Sequence, residues 1–79
     1  KKSEGYLIDS DEKLLNKFEL HQLISEKNKN KKISKLHQFK FLKLYSESNI
    51  FESIEKSKDF VGESIPIVTK QNKMFGIIS

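Results

Sequence analysis

Ser64 is the residue that comes closest to a catalytic nucleophile. It stands in the run Gly62-Glu63-Ser64-Ile65-Pro66, which has the first glycine of a Gly-x-Ser-x-Gly elbow and a proline in place of the second. Serine, histidine and aspartate all occur in the chain, but not in an order that pairs a nucleophile with its base. The absence of cysteine excludes thiolate chemistry as well. The sequence therefore predicts a protein that is not an enzyme.

The two histidines and the acids around them are the candidates for metal ligation. Glu19, His21 and Glu26 lie close in sequence, but His21 and Glu26 are five residues apart and Glu19 and His21 are two apart. Metal ligands that share one helix face need a spacing of three or four residues. We therefore expect no metal site, with His21 and His37 on the surface.

Charge is distributed unevenly along the chain. The net charge is +4, yet residues 27–45 contain seven lysines and no acid, whereas the rest has eight lysines and eleven acids. All fifteen basic residues are lysine, so the bidentate guanidinium that favours specific phosphate or base recognition is missing. The segment Lys27–Lys43 is interpreted as a solvated linker, with a nucleic-acid or anionic-membrane binding surface as the alternative. No nucleic-acid partner is expected, because no nucleic-acid-binding motif is present.

The length of 79 residues allows one small domain. A chain of this size buries only about 60% of its unfolded surface, and a hydrophobic content of 35% is low, so we expect help from a partner or from further sequence. The chain does not begin with methionine and is expected to be a fragment or a processed form. No apolar run approaches the ~20 residues of a membrane helix.

The first half of the chain predicts two strands and a helix. Gly5–Ile8 is rich in aromatic and branched residues, and Leu14–Phe18 returns as a second strand after a polar turn. From Glu19 to Lys27 the apolar spacing becomes that of a helix. Residues 28–38 form a linker rich in lysine and asparagine, and the segment before Gly5 is expected to be polar and frayed.

The second half predicts a strand, a helix and a terminal hairpin. Phe39–Leu44 mixes apolar residues with lysines and is expected to be a strand, with a helix end as the alternative. Asn49 and Glu52 have capping-box spacing before an amphipathic helix that ends near residue 58, and Ser48 is the alternative cap. Two short strands follow, Ile65–Val68 and Met74–Ile78, joined by a polar turn. The six phenylalanines are expected to lie mostly in the core.

The two ends of the chain repeat one another. Leu7-Ile8, a polar turn and Leu14–Phe18 have the apolar spacing of Ile67-Val68, a polar turn and Met74–Ile78. Asn16 takes the position of Gly76 in this alignment. The repeat predicts two similar halves that close against each other, leaving a crevice between them and no reactive centre.

The runs Phe60–Val68 and Gly76–Ser79 resemble the second half of a cystathionine-β-synthase (CBS) domain, a regulatory module that senses adenosyl ligands or transmits conformational change. The resemblance implies an α+β fold, a CBS-domain pair that is partly truncated and runs strand-strand-helix and then strand-helix-strand-strand. Residues 5–27 would be the second half of a first motif. Residues 39–79 would be a second motif lacking its last helix, and residues 28–38 the linker.

Within this family, the run Phe60–Val68 looks most similar to the cytoplasmic CBS region of bacterial voltage-gated-type chloride channels and chloride–proton exchangers. That resemblance implies a regulatory module on the cytoplasmic side of the cell membrane, modulating transport by domain packing or adenine-nucleotide binding. It also implies a homodimer formed through CBS packing and contact with the transmembrane transport domain of the parent chain. The allosteric CBS region of an enzyme such as IMP dehydrogenase is the other interpretation.

The family's ligand pocket places a hydroxyl residue, followed three residues later by an aspartate, directly after the Gly-hydrophobic-hydrophobic strand. The resemblance therefore implies that an adenosyl group contacts Ile65, Pro66, Ile78 and Ser79. ATP, ADP or AMP would be the ligand, and no permanently bound cofactor is implied. In the first motif the two positions hold Glu19 and Gln22, and the carboxylate of Glu19 would repel a phosphate.

Overall fold

A computed structural model describes residues 3–79 of the chain. The elements in these residues are β1 (Glu4–Ile8), β2 (Leu14–Glu19), α1 (Leu20–Ile24), a 3₁₀ turn (Ile33–Lys35), β3 (Leu44–Tyr45), α2 (Ile50–Ser57), β4 (Ile65–Val68) and β5 (Met74–Ile78). β1 and β2 form an antiparallel pair. The second sheet has the order β3-β4-β5, with β3 parallel to β4 and β4 antiparallel to β5. This α+β architecture is the fold class that the sequence predicted.

The two hairpins, β1–β2 and β4–β5, have the same internal geometry. Each turn has one residue in the left-handed region, Glu12 at φ 67° in the first and Asn72 at φ 65° in the second. Each hairpin also has one register shift, at the Leu7/Ile8 step in β1 and at the Ile67/Val68 step in β4. The repeat predicted from apolar spacing therefore extends to the backbone.

The two turns bind each other through a reciprocal pair of backbone hydrogen bonds. The N–H of Leu14 donates to the carbonyl of Asn72 at 2.8 Å. The N–H of Met74, the counterpart of Leu14, donates to the carbonyl of Glu12 at 2.9 Å. The residues just before Leu14 and Met74 face each other as an antiparallel bridge. Contacts related by a twofold axis are reciprocal, so that equivalent residues on the two sides make equivalent hydrogen bonds. A local pseudo-twofold axis therefore relates the two hairpins.

The buried core is small and draws on both hairpins. Its members are Leu14 of β2, Leu44 of β3, and Ile65, Pro66 and Val68 of β4. The expectation that the phenylalanines lie mostly in the core was wrong. Phe51 on α2 and Phe75 on β5 are 72% and 67% exposed, and the other four are only half-buried.

The strand predicted over Phe39–Leu44 was wrong except at Leu44, which begins the two-residue β3. The physical reason is the side chain of Asn16, which is buried in β2. Its Oδ1 accepts from the N–H of Phe39 at 3.1 Å, and its Nδ2 donates to the carbonyl of His37 at 3.0 Å. Because these two backbone groups bond to a side chain, they are not available to a neighbouring strand.

Both helices predicted from the sequence are present, as α1 and α2. α1 ends at Ile24 rather than near Lys27, and Ser25 is its C-cap, with both its N–H and its hydroxyl donating to the His21 carbonyl. Asn49 caps α2 as predicted, accepting the N–H of Glu52 at 2.8 Å.

The prediction that the chain is frayed before Gly5 was wrong at Glu4, which belongs to β1. Residues 1 and 2 of the chain lie outside the described residues.

None of the helices formed by residues 3–79 has the length and apolar character needed to cross a bilayer.

Candidate functional site

A buried polar cluster ties the first hairpin to the start of β4. The ammonium of Lys17 lies 3.5 Å from Glu4 Oε1 and donates to the carbonyl of Ser64 at 2.5 Å. The hydroxyl of Ser64 donates to Glu4 Oε1 at 2.8 Å and accepts from the phenol of Tyr6 at 2.5 Å. The side chains of Lys17 and Glu4 are only 8% and 5% exposed. Residues from opposite ends of the chain are thus joined by charge-assisted hydrogen bonds inside the molecule.

The cluster is completed by aromatic and backbone contacts. The ammonium of Lys17 lies 5.0 Å from the ring centre of Phe60 and 5.9 Å from that of Tyr6. The second oxygen of Glu4 accepts from the N–H of Glu63 at 3.1 Å. No buried side-chain nitrogen or oxygen among residues 3–79 lacks a hydrogen-bond partner. A polar network that is fully bonded in this way specifies one arrangement of the elements it joins.

Protonation of the cluster follows from these contacts. Burial alone would raise the pKa of Glu4, but the hydrogen bonds from Ser64 and from the Glu63 N–H, together with the charge of Lys17, outweigh it and lower the pKa below its usual range. Burial raises the pKa of the Tyr6 phenol; the bond with Ser64 opposes this, and the charge of Glu4 adds to it. At neutral pH the cluster therefore contains a carboxylate and a neutral phenol.

Beside the cluster lies a cleft of about 290 Å³. Its walls come from the first hairpin and the start of α1, from the irregular segment before β3, and from the loop before β4. The lining residues are Glu4, Lys17, Phe18, Glu19, Gln22, Phe39, Lys40, Phe41, Leu42, Phe60 and Val61. None of these is a serine, cysteine or histidine, whereas four are phenylalanines. The cleft therefore suits a flat, partly apolar group held by stacking and by a few polar contacts.

Asn16 positions one wall of this cleft. The side chain is buried in β2, and its hydrogen bonds to His37 and Phe39 fix the irregular segment against the first hairpin. Oδ1 also accepts the N–H of Lys17 at 3.0 Å. At the equivalent place in the second hairpin, a Cβ added to Gly76 would meet no atom within 4 Å. The asparagine thus supplies a wall on one side of the pseudo-twofold, and the glycine leaves the matching space open.

Glu19 and Gln22 stand at the edge of the cleft, where the family pattern has a hydroxyl and an aspartate. Glu19 is the N-cap of α1, and its N–H donates to Gln22 Oε1 at 2.6 Å. Its Oε2 lies 3.3 Å from Nδ1 of His21, whose side chain is exposed. The carboxylate can accept hydrogen bonds from ligand hydroxyls, and its charge disfavours a phosphate beside it. Among residues 3–79 no three acids or histidines are grouped so as to hold a metal ion.

A second, more apolar groove of about 340 Å³ runs between α2 and β5. Tyr45, Ile50, Ile54, Phe75 and Ile78 are among its lining residues, and all five are exposed. Helix α2 presents this apolar side because Ile50 and Ile54 are four residues apart and share one helix face. The groove is an uncovered apolar surface.

The four residues predicted to contact an adenosyl group lie on β4 and at the end of β5. Ile65 is paired with Ile78 across the two strands, and Pro66 follows Ile65 in the core. Ser79 follows β5 and is exposed. Of the four, Ile78 lines the apolar groove, and none lines the 290 Å³ cleft. Their role in ligand binding stays a prediction.

Sequence reasoning missed Glu4, Tyr6, Lys17 and Phe60 as a cluster. One signal could have found it. In the repeat, Lys17 takes the place of Ile77, so a charged residue stands at an apolar position of a strand. A lysine at such a position needs a buried partner, although the sequence alone does not say that the partner is Glu4.

Comparison with known proteins was made on sequence and on structure. No protein-family model matches the chain, and no curated protein sequence matches it. Among solved structures, Staphylococcus aureus OpuCA, a CBS-domain-containing ABC transporter ATPase, superimposes with a TM-score of 0.81 at 18% identity. The chain has the fold of a CBS module. The match covers 98% of this chain and 66% of the OpuCA chain, so the CBS fold extends over almost the whole of residues 1–79.

The CBS fold accounts for the arrangement around the cleft. The hairpins contributed by the two halves meet at the pseudo-twofold, and the cleft opens where the end of β2 faces the segment leading into β3. The exact motif boundaries, residues 5–27 and 39–79, stay a prediction.

Proposed function

We propose that this chain is a regulatory CBS module of a membrane transport protein, acting from the cytoplasmic side of the membrane. The observation that carries the proposal is the aromatic cleft between the two halves, which has a ligand-sized volume of about 290 Å³ and no nucleophile in its lining. A ligand in such a cleft changes activity only by binding one arrangement of the two halves better than another.

The lining supports an adenine-containing ligand in preference to a metal or a peptide. The rings of Phe39, Phe41 and Phe60 offer stacking surfaces, and the carboxylate of Glu19 can accept ribose hydroxyls. Because that carboxylate opposes phosphate, we expect the order of affinity to be adenosine, then AMP, then ADP and ATP. The expected order of affinity depends on the negative charge of the Glu19 carboxylate.

Two parent proteins are supported by different observations. The run Phe60–Val68 resembles the CBS region of chloride channels and chloride–proton exchangers. The likeness of fold to OpuCA supports an ABC transporter ATPase as the parent. The sequence of the complete parent separates them, because a channel or exchanger contributes long apolar segments and an ABC ATPase contributes an ATP-binding domain.

The apolar groove supports a packing mode of regulation as well. Its exposed residues on α2 and β5 are better covered than left in water. We propose that a second copy of the module, or the transport domain of the parent, covers this groove. Sedimentation analysis tests the homodimer directly, and Ile54→Ser in the groove is expected to shift the chain towards monomer, whereas Val61→Ser outside it is not.

Isothermal titration calorimetry with adenosine, AMP and ATP tests the ligand mode. We expect saturable binding of adenosine that is weakened by about fivefold or more in Phe41→Ala, since loss of a base-stacking ring costs about 1–3 kcal/mol. Phe51→Ala is the matched control, because Phe51 is exposed on α2 and does not line the cleft. Tighter binding of ATP than of adenosine would contradict the assigned role of Glu19, and an absence of binding to all three would leave packing as the only mode.

A further inference from the structure

The segment that follows α1, together with the 3₁₀ turn, presents a dense positive charge to solvent. All nine residues from 27 to 35 are exposed, and five of them are lysines without an intervening acid. We call residues 27–35 the lysine loop. Neither the CBS fold nor the cleft requires a lysine at these positions, so the loop is available for a separate role.

Internal hydrogen bonds give the lysine loop a defined shape. The ammonium of Lys29 donates to the carbonyls of Ile24 and Glu26, and Lys31 forms an ion pair with Glu26 at 2.9 Å. The N–H of Lys31 also donates to the carbonyl of Asn28 at 3.1 Å. Beyond the loop, Asn16 anchors the chain at His37. Two of the five lysines thus hold the loop, and the other three are displayed by it.

The displayed lysines are Lys27, Lys32 and Lys35, and none of them forms an ion pair with a carboxylate in residues 3–79. Between the last two lies Ile33, which begins the 3₁₀ turn and is 49% exposed. An aliphatic side chain flanked by free lysines has two properties at once. The ammonium groups attract phosphate, and the apolar group is better placed in a hydrocarbon boundary than in water.

We propose that the lysine loop docks on an anionic bilayer surface, with Lys27, Lys32 and Lys35 at the lipid phosphates and Ile33 at the boundary between headgroups and acyl chains. Nucleic acid is the less favoured partner. An aliphatic side chain adds nothing to the recognition of unpaired bases, and the loop offers neither arginine nor an aromatic ring. The inference deepens the proposed function, because a module of a membrane transport protein works beside a bilayer, but it does not require a ligand in the cleft.

Co-sedimentation of the chain with phosphatidylcholine vesicles, with and without phosphatidylglycerol, tests the proposal. Each lysine near an anionic surface contributes about fivefold to partitioning. Replacing all three displayed lysines (Lys27→Gln, Lys32→Gln and Lys35→Gln) is therefore expected to weaken binding to anionic vesicles by roughly a hundredfold. The control variant carries Lys58→Gln, Lys70→Gln and Lys73→Gln, which give the same net charge from exposed positions elsewhere. It is expected to lose no more than about fivefold.

Ile33→Ser distinguishes a membrane from a nucleic acid. It is expected to lower vesicle partitioning by about tenfold, since a half-exposed isoleucine gains apolar burial in the bilayer, and to leave binding to polyuridylate unchanged. Equal binding to neutral and anionic vesicles, or equal losses in the two triple variants, would overturn the proposal. So would tighter binding to polyuridylate than to vesicles. The adenosine titration does not involve these residues, so its outcome is independent of this one.

Discussion

Lys17 and Ile77 hold the same position in the two hairpins, but their environments are reversed. Lys17 lies opposite Tyr6 in the register of β1 and β2, as Ile77 lies opposite Pro66 in β4 and β5. The charged side chain is buried, whereas the apolar one is exposed. The pseudo-twofold thus relates the backbones and not the chemistry. The first hairpin uses this position to bind the start of β4, and the second presents it to solvent.

Removal of Lys17 is expected to destabilise the fold strongly. In Lys17→Met the carboxylate of Glu4 stays buried without its cation, and breaking a buried pair in this way costs about 3 kcal/mol. Urea unfolding followed by circular dichroism measures the loss. The control is Lys13→Met, which alters an exposed lysine in the same hairpin and is expected to change stability by less than about 0.5 kcal/mol.

The double variant Glu4→Gln with Lys17→Met keeps this prediction testable if the single variant does not fold. Removing both charges is expected to recover part of the loss, because no unpaired ion is then buried. A single variant that unfolds at the same urea concentration as the parent would show that the pair does not hold the halves together.

Lowering the pH is expected to weaken the contact between Glu4 and Lys17. The pKa of Glu4 is lower in the folded state than its ordinary value of 4.5. The contribution of Glu4 is therefore fully present well above pH 4.5 and is lost as the pH falls below that value and through the folded-state pKa. The urea midpoint is therefore expected to fall more between pH 6 and pH 3 in the parent chain than in Glu4→Gln. Parallel pH profiles in the two proteins would contradict this assignment.

The parts of the fold that the sequence predicted are those determined locally. The hairpin strands and the N-cap at Asn49 each depend on residues near one another in the chain, and the structure has them. The strand predicted over Phe39–Leu44 failed because the deciding residue is Asn16, more than twenty positions earlier. Glu4 was taken as frayed for the same reason, since its partners are at residues 17, 63 and 64.

Asn16→Ala is expected to release the wall of the cleft without unfolding the hairpins. The substitution leaves the carbonyl of His37 and the N–H of Phe39 without their partner, and two lost hydrogen bonds of this kind cost about 2 kcal/mol. Amide hydrogen exchange is expected to rise at Phe39 and its neighbours, with little change in β4 and β5. Asn30→Ala, at an exposed position of the lysine loop, is the control. Unchanged exchange at Phe39 would contradict the positioning role of Asn16.

Glycine substitutions at the two left-handed turn residues are expected to have opposite effects. Glu12→Gly removes the steric penalty of a side chain at φ 67° and is expected to stabilise the chain by about 0.5–1 kcal/mol. Asn72→Gly relieves a smaller penalty, because asparagine tolerates the left-handed region. It also removes a side chain that donates to the Leu14 carbonyl at 2.7 Å and accepts from Lys43 at 2.8 Å. It is expected to destabilise by about 1 kcal/mol. Thermal unfolding of the two variants checks this contrast. Unfolding temperatures that shift by the same amount in the same direction would contradict it.

The candidate site was less predictable than the fold. The CBS resemblance directed attention to Ile65, Pro66, Ile78 and Ser79, because the family pattern lies in the second motif. The 290 Å³ cleft instead lies at the first motif's end, where Glu19 and Gln22 depart from that pattern. Its aromatic wall depends on the hydrogen bonds from Asn16 that position the irregular segment before β3. The hydrophobic periodicity of the sequence does not predict such a contact.

Chemical-shift mapping during an adenosine titration tests the central claim most directly. In ¹H–¹⁵N spectra of the labelled chain, we predict saturable shifts at Glu19 and Gln22, at residues 39–42 and at Phe60 and Val61, and little change at Ile50, Ile54 and Phe75. Shifts confined to the groove of α2 and β5, or no shift at millimolar adenosine, would contradict a regulatory ligand cleft between the two halves.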